Sequence, residues 1–236
     1  MGETEGRVAM ISGANRGIGA AIAREMLTNG WRVSLGVRDP GGLADAVAPG
    51  SDSCLHATFD AVVPDTASAW VQATASRFGR IDALVNNAGS GEFVRLMDDN
   101  DEALDRLWAI NCKAPLRLTR LVVPHLEQVG EGRIVNIASL SGKRVRNGFV
   151  GYNMTKFAVM GLTHTTRHET WDKGIRCTAV CPSFVRTEMS SYTSKIAPED
   201  MIQAETLARM IRNNIELPNN AAVAEILVNC RLEDML

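Results

Sequence analysis

The chain has 236 residues, a formal net charge of −2 and 45% hydrophobic residues. This size and composition allow one or two domains with a real core, and the near-neutral charge gives no basic footprint for nucleic acid or an anionic membrane. No uncharged apolar run is long enough to span a bilayer, and the acidic, polar first residues do not resemble a secretory signal.

The cysteines indicate a reducing compartment. There are five of them, an odd number, spread through apparent strands and helices. Cys177 and Cys181 could be read as a ligand pair, but no second pair or His cluster accompanies them. We therefore expect reduced core thiols in a cytoplasmic protein, and no metal site.

Short apolar runs alternate with longer amphipathic stretches along the chain. The predicted strands are residues 8–11, 32–35, 54–59, 83–85, 133–137, 176–180 and 223–228. The predicted helices are residues 17–29, 64–78, 102–129, 152–173 and 199–215. Several strands are nearly continuous apolar runs, which is typical of strands covered on both faces.

This alternation predicts an α/β fold with right-handed βαβ units: a Rossmann-like, doubly wound parallel sheet of about seven strands with helices on both faces. No linker or repeat divides the chain, so we expect a single domain over residues 1–236. The strand–helix rhythm breaks at residues 188–218, which we expect to form a short lid over the substrate.

A glycine-rich turn joins the first strand to the first helix. Residues 12–19 read Ser-Gly-Ala-Asn-Arg-Gly-Ile-Gly. Glycines let backbone N–H groups approach a pyrophosphate at the positive end of a helix. The spacing is G-x-x-x-G-x-G and not the G-x-G-x-x-G fingerprint of dinucleotide-binding proteins. The alternative to a pyrophosphate site is therefore a tight turn that allows close helix–strand packing.

Tyr152 and Lys156 lie four residues apart on a predicted helix and therefore share a face. A free phenol has a pKa of about 10, and a nearby cation lowers it. The pair would then act as a general acid/base toward an alcohol oxygen. The alternative is a solvated lysine over a packed tyrosine.

Three segments together resemble the short-chain dehydrogenase/reductase family. They are the turn with Gly13, Gly17 and Gly19, the run Asn86-Asn-Ala-Gly89 after the fourth strand, and the set Ser139…Tyr152…Lys156. They stand in the family's order and approximate spacing, and the resemblance extends from Arg7 to about Val228. It implies hydride transfer between a nicotinamide cofactor and the carbonyl/alcohol group of a small molecule.

The resemblance also implies roles for single residues at the chemical end. Ser139 would donate to the substrate carbonyl, with Ser141 as the fallback, and Lys156 would also bind the nicotinamide ribose. Asn111 would complete a catalytic tetrad, because its helix kinks and a carbonyl-held water then reaches Lys156. The alternative for Asn111 is a surface position.

Arg16 and Arg38 favour NADP(H), whose adenosine ribose carries a 2′-phosphate, over NAD(H). In the family register the acidic, NAD-selecting position falls on Val37, and Arg38 follows it. Arg16 could approach the same 2′-phosphate, and two guanidiniums make a good anion site. NADP(H) is therefore preferred, while Asp39 leaves NAD(H) possible. Further cofactor contacts implied by the resemblance are Asn15, Ile18, Asp60, Asn87, Ala88, Val185 and Thr187.

The substrate side is less distinctive. Ser141, Phe93 and Arg146 are candidate substrate residues, and the basic loop 143–146 could favour an anionic substrate or simply form a solvated rim. The helices at 102–129 and 152–173 are apolar over more than one face, and the resemblance implies a dimer or homotetramer. Two other functions stay open: a non-redox epimerase or dehydratase on this scaffold, and a non-catalytic dinucleotide-binding regulator.

Overall fold

The computed structural model describes residues 6–42, 51–191 and 193–232. The strands are β1 (Val8–Ser12), β2 (Arg32–Val37), β3 (Cys54–Thr58), β4 (Ala83–Asn86), β5 (Arg133–Ile137), β6 (Arg176–Pro182) and β7 (Glu225–Val228). The α-helices are α1 (Gly17–Thr28), α2 (Pro64–Phe78), α3 (Asp101–Trp108), α4 (Ala114–Val129), α5 (Val150–Thr170) and α6 (Ala204–Ile215).

Within the described ranges the strands form one seven-stranded sheet in the order β3-β2-β1-β4-β5-β6-β7. Every neighbouring pair is parallel, so the predicted doubly wound α/β fold is confirmed. The strand order reverses between β1 and β4. Ligands of such sheets bind beyond the carboxyl ends of the strands at this switch point.

The sheet is covered on both faces, which explains its continuous apolar strands. One face packs against α1 and α6 through side chains such as Ile22, Met26 and Ile211. The other packs against α2 and α4, where Trp70 and Leu118 are buried. The tight turns at the carboxyl edge therefore stand on a rigid support.

The predicted helix 102–129 is interrupted in the structure. A π-helical turn, Ala109–Lys113, separates α3 from α4. Such a turn inserts an extra residue into the helical repeat, is often found at functional sites, and frees a backbone carbonyl from the regular ladder. Periodicity over this stretch predicts one helix because the backbone stays helical from α3 through the π turn into α4.

The predicted lid segment 188–218 includes α6 (Ala204–Ile215). α6 carries an apolar stripe, and Leu207, Ala208 and Ile211 on it are fully buried in the core against α1. An amphipathic helix that packs in this way belongs to the sheet layer. That residues 188–203, which precede α6, cover a ligand stays a prediction.

Candidate active site

The side chains singled out from the sequence come together at the carboxyl edge of the sheet. The glycine turn follows β1, Arg38 follows β2, Asp60 follows β3, residues 87–89 follow β4, Ser139 follows β5, Val185 and Thr187 follow β6, Asn111 lies in the π turn, and Tyr152 and Lys156 lie on α5. Parallel strands present their carboxyl ends at one edge, so residues distant in sequence become neighbours there.

The glycine turn is shaped by close backbone contacts. Gly13 has φ 67°, and a Cβ added there would lie 2.9 Å from the Cα of Ala88. A Cβ on Gly19 would lie 2.4 Å from the carbonyl oxygen of Gly13. α1 has no acidic residue in its first turn and no side-chain cap on its first N–H groups. The cradle therefore fits the pyrophosphate of a dinucleotide.

Asn87 and Ser12 hold this turn to the end of β4. Asn87 Nδ2 donates to the carbonyl oxygens of Ser12 and Gly13 at 2.9 and 3.0 Å. Ser12 Oγ accepts from the backbone N–H groups of Asn87 and Ala88, both at 3.0 Å. The predicted cofactor residue Asn87 thus also shapes the cradle, and sequence reasoning missed Ser12.

The charged residues that follow β2 and β3 differ in their exposure and in the hydrogen bonds that their side chains form. Arg38 is exposed directly after β2, whereas Asp39 Oδ1 accepts from the backbone N–H of Gly41 at 3.0 Å. Asp60 Oδ1 accepts from the backbone N–H of Val62 at 3.0 Å. Asp60 therefore takes part in a local turn ahead of α2.

Tyr152 and Ser139 form the centre of the candidate site. Tyr152 is half-buried on α5, and its hydroxyl is hydrogen-bonded to the side chain of Ser139. Ser139 Oγ also accepts from the backbone N–H of Ser141 at 3.1 Å, which fixes its position. Burial raises the pKa of Tyr152, and the hydrogen bond to Ser139 acts in the opposite direction.

Lys156 is buried beside this pair, with 7% of its surface exposed. Its Nζ lies 5.5 Å from the centroid of the Tyr152 ring and donates to the carbonyl oxygen of Ile137 at 2.9 Å. Burial lowers the pKa of Lys156 from 10.5 to about 8. The lysine shares the face of Tyr152, as the spacing predicted.

The expected lowering of the Tyr152 pKa by Lys156 is not seen. The pKa of Tyr152 is raised, since the loss of water around the phenol outweighs the hydrogen bond from Ser139. The spacing of Tyr152 and Lys156 predicts a shared helix face but carries no information about burial. The same desolvation therefore moves the two pKa values in opposite directions.

Asn111 lies inside the π turn with 2% of its surface exposed, which excludes the surface alternative. Its Nδ2 donates to the carbonyl oxygen of Ser90 at 2.9 Å and to Thr155 Oγ1 at 3.0 Å. Its Oδ1 accepts from the backbone N–H of Ser90 at 2.8 Å. Asn111 thus joins the loop after β4 to α5, while its link to Lys156 stays a prediction.

The turn after β6 is held by its own hydrogen bonds. Ser190 Oγ donates to the carbonyl oxygen of Val185 at 2.6 Å and accepts from the backbone N–H of Thr187 at 3.1 Å. Ser183 donates its backbone N–H to the carbonyl oxygen of Val228 at 2.8 Å. The bend that follows β6 is therefore held next to β7.

The candidate substrate residues lie in the loops after β4 and β5. The ring of Phe93 packs on that of Phe149 with centroids 4.4 Å apart, and Ser141 Oγ accepts from Asn147 Nδ2 at 3.1 Å. Arg146 is exposed. Lys143, in the same basic loop, pairs with Glu225 at 2.8 Å, so its charge is already neutralised locally.

A buried polar chain behind the site was missed by sequence reasoning. Asn86 Nδ2 donates to Asn136 Oδ1 at 2.8 Å, and Asn136 Nδ2 donates to Thr163 Oγ1 at 2.9 Å. Asn86 and Asn136 are register partners on β4 and β5. The chain fixes these two strands and α5 relative to each other, because buried amides are costly to leave unpaired.

The described part of the chain lacks a membrane-spanning helix and a cluster of metal ligands. None of its helices is long and apolar enough to cross a membrane. No group of three or more His, Cys, Asp and Glu side chains there could hold a metal ion.

The fold and the cradle define a dinucleotide-binding α/β protein. Residues 7–197 match the model of the short chain dehydrogenase family, and the chain belongs to this family of NAD(P)-dependent oxidoreductases acting on CH–OH and C=O groups. It is 51% identical over 229 residues to the agropine synthesis reductase of Rhizobium rhizogenes, covering 97% of this chain and 53% of that protein. The chain thus spans about half the length of this relative.

Solved structures of reductases share the fold. A 3-ketoacyl-(acyl-carrier-protein) reductase from Brucella melitensis, complexed with NADH, superimposes with a TM-score of 0.85 at 27% identity, covering 97% of this chain and 98% of that one. A variant of actinorhodin polyketide ketoreductase with NADPH has a TM-score of 0.83 at 28% identity, covering 97% of each chain. One neighbour therefore holds NADH and the other NADPH.

Proposed function

We propose that this chain, as a single domain, transfers a hydride between NADP(H) and the carbonyl/alcohol group of a small molecule, with Tyr152 as the general acid/base. The hydrogen bond between Tyr152 and Ser139 beside the buried Lys156 carries this proposal. The glycine turn would hold the pyrophosphate of the nicotinamide cofactor, which would supply the hydride for reduction and accept it in oxidation.

The protein's own groups would handle the oxygen and its proton. Ser139 orients the carbonyl oxygen by donating a hydrogen bond, and Tyr152 donates the proton that this oxygen takes up. A raised pKa keeps the Tyr152 phenol protonated at neutral pH, which suits the reducing direction. The Lys156 ammonium, close to the Tyr152 ring, stabilises the phenolate left after proton transfer.

The preference for NADP(H) rests on charge at the end of β2. Arg38 is exposed where the adenosine ribose would lie, and Arg16 stands at the start of α1. Asp39, the residue through which NAD(H) was left possible, uses Oδ1 within its own turn. A guanidinium binds a 2′-phosphate through paired, charge-assisted hydrogen bonds.

The relative that acts in agropine synthesis suggests the first substrate to test. We propose that a carbonyl compound of agropine synthesis is reduced at this site. Because Lys143 already pairs with Glu225, we interpret the basic loop 143–146 as a solvated rim rather than as an anion site.

We propose that the chain associates with further copies of itself to form a dimer or a tetramer. Trp108, Met154 and Phe157 are partly exposed and lie around an apolar cavity of about 580 Å³ beside α5. Apolar patches of this kind mark protein interfaces, and light scattering measures the assembly directly. The cytoplasmic location also stays a proposal, supported by five free cysteines.

The deciding experiment is a carbonyl and alcohol panel with both cofactors, followed at the absorbance band of the reduced nicotinamide. We expect substrate-dependent oxidation of NADPH that is lost in Tyr152→Phe. Net conversion without a change in cofactor redox state would instead indicate an epimerase or dehydratase. Cofactor binding without any turnover across the panel would indicate a regulator.

A further inference from the structure

We propose that Glu188 is a specificity-determining residue of the cofactor site, because it competes with the 2′-phosphate of NADP(H) for Arg16. This inference rests on the proposed NADP(H) preference. It concerns an acidic residue that no motif singles out and that lies far from Arg16 in sequence.

The observation that carries it is an ion pair across the nucleotide edge of the sheet. Arg16, the residue before the first turn of α1, pairs through Nη1 with Glu188 Oε2. Glu188 begins the 3-10 turn Glu188–Ser190, which follows β6. A carboxylate from one side of the switch point thus neutralises a guanidinium on the other.

Contacts on both sides keep Glu188 in this place. A Cβ on Gly17 would lie 3.2 Å from Thr187 Cγ2, so the turn touches the glycine cradle. On its other side, Met189 Cγ lies 3.5 Å from a Cβ placed on Gly91, in the loop after β4. The turn therefore lies across the edge of the sheet where a dinucleotide would run.

The turn that presents Glu188 is also rigid. Thr187 and Ser190 form a reciprocal capping box, in which the side chain of each accepts from the backbone N–H of the other, and Ser190 Oγ donates to the carbonyl oxygen of Val185 at 2.6 Å. These bonds fix the backbone from which the Glu188 side chain projects. The position of this backbone is set before any cofactor arrives.

The ion pair is weak enough to be exchanged. The side chains of Arg16 and Glu188 are 62% and 70% exposed, and exposed pairs contribute little to stability because water and salt screen them. A phosphate dianion binds a guanidinium through two charge-assisted bonds and can displace the carboxylate. NAD(H) has no 2′-phosphate and gains nothing from this exchange.

Glu188 therefore reduces the advantage of NADP(H) over NAD(H). Removing its charge also relieves repulsion of the pyrophosphate, but that effect is the same for both cofactors. The ratio of the two dissociation constants isolates the exchange at Arg16 from this common effect.

The test measures dissociation constants of NADPH and NADH by nicotinamide fluorescence without substrate, in the unmodified protein, Glu188→Gln, Arg16→Ala and the double variant. We expect Glu188→Gln to tighten NADPH binding relative to NADH by about two- to fivefold. In the Arg16→Ala background the same change should leave the ratio unaltered. Asp52→Asn, which removes a carboxylate paired with Arg77 at 2.8 Å, is the matched control and should leave the ratio unchanged.

The outcomes separate this inference from the proposed function. If Arg16→Ala weakens NADPH selectively but Glu188→Gln leaves the ratio unchanged, the role of Glu188 is wrong and the NADP(H) preference stands. An effect of Glu188→Gln that persists undiminished in Arg16→Ala also overturns the competition. If neither Arg16→Ala nor Arg38→Asp changes the ratio, the NADP(H) preference itself fails.

Discussion

Lys156 Nζ lies 5.5 Å from the centroid of the Tyr152 ring and is bonded at the same time to the carbonyl oxygen of Ile137. Both groups are removed from water, so the pKa of the amine is lowered and that of the phenol is raised. At neutral pH the ammonium and the phenol both keep their protons. This arrangement favours proton donation to a substrate oxygen.

Tyr152→Phe removes the proton donor and leaves the ring in place. We expect turnover to fall by about 10²- to 10⁴-fold, with NADPH affinity and the free energy of unfolding little changed. Ser139→Ala should lower turnover too, because it removes the group that orients the carbonyl. Ser68→Ala, which deletes an exposed hydroxyl on α2, is the control, and steady-state kinetics with calorimetric binding make the comparison. Retained turnover in Tyr152→Phe would refute the assigned role.

Lys156→Met should change how stability depends on pH. Because the pKa of Lys156 is about 8 in the folded chain and 10.5 as its ordinary value, the unfolded state binds more protons between these values. Lys156 therefore makes the free energy of unfolding increase as the pH rises from about 8 to 10.5. Relative to Lys156→Met, we expect the unmodified protein to gain roughly 2 kcal/mol from about pH 8 to 10.

Denaturant unfolding of both proteins at each pH measures this difference. The four thiols whose pKa values are raised by burial, Cys54, Cys112, Cys177 and Cys181, lower stability above their ordinary pKa of 9.0. The contributions of Cys54 and Cys177 are the same in both proteins and cancel in the comparison. The charge of Lys156 lowers the pKa values of Cys112 and Cys181, so the comparison is made with both of these cysteines replaced by alanine. A difference that stays flat or falls with pH would mean that the amine is not desolvated.

Arg38→Asp should shift cofactor preference toward NAD(H). The substitution removes a proposed phosphate ligand and adds a carboxylate that suits a free ribose diol. We expect the ratio of kcat/KM for NADPH over NADH to fall about 10- to 100-fold. Arg77→Asp reverses the charge of an exposed arginine on α2 and should not move the ratio. An unchanged ratio in Arg38→Asp would count against the NADP(H) preference at this position.

Gly19→Ala tests the cradle itself. Its new Cβ would meet the carbonyl oxygen of Gly13 at 2.4 Å and Asn87 Nδ2 at 2.5 Å. We expect a loss of about 1–3 kcal/mol in the free energy of unfolding and loss of NADPH binding. Gly161→Ala on α5 meets no described atom within 4 Å and should stabilise the chain by about 0.5–1 kcal/mol. Equal effects of the two substitutions would mean that the close approach at Gly19 is not required.

Local patterns in the sequence determined the architecture and most of the site. The alternation of buried strands with amphipathic helices requires a parallel sheet, and a parallel sheet brings the ends of β1, β4, β5 and β6 to one edge. The glycine turn and the Tyr152–Lys156 spacing are short-range features. Their interpretation therefore does not depend on the residues that pack around them.

Only the tertiary structure decided the properties that depend on burial and on distant neighbours. The raised pKa of Tyr152 follows from the side chains packed around it. The bonds of Asn111 to Ser90 and Thr155 and the pairing of Arg16 with Glu188 join segments far apart in the chain. The packing of α6 against α1 places one helix of the expected lid segment on the core. Sequence spacing predicts which residues share a face, but desolvation and long-range pairing arise only when the faces meet.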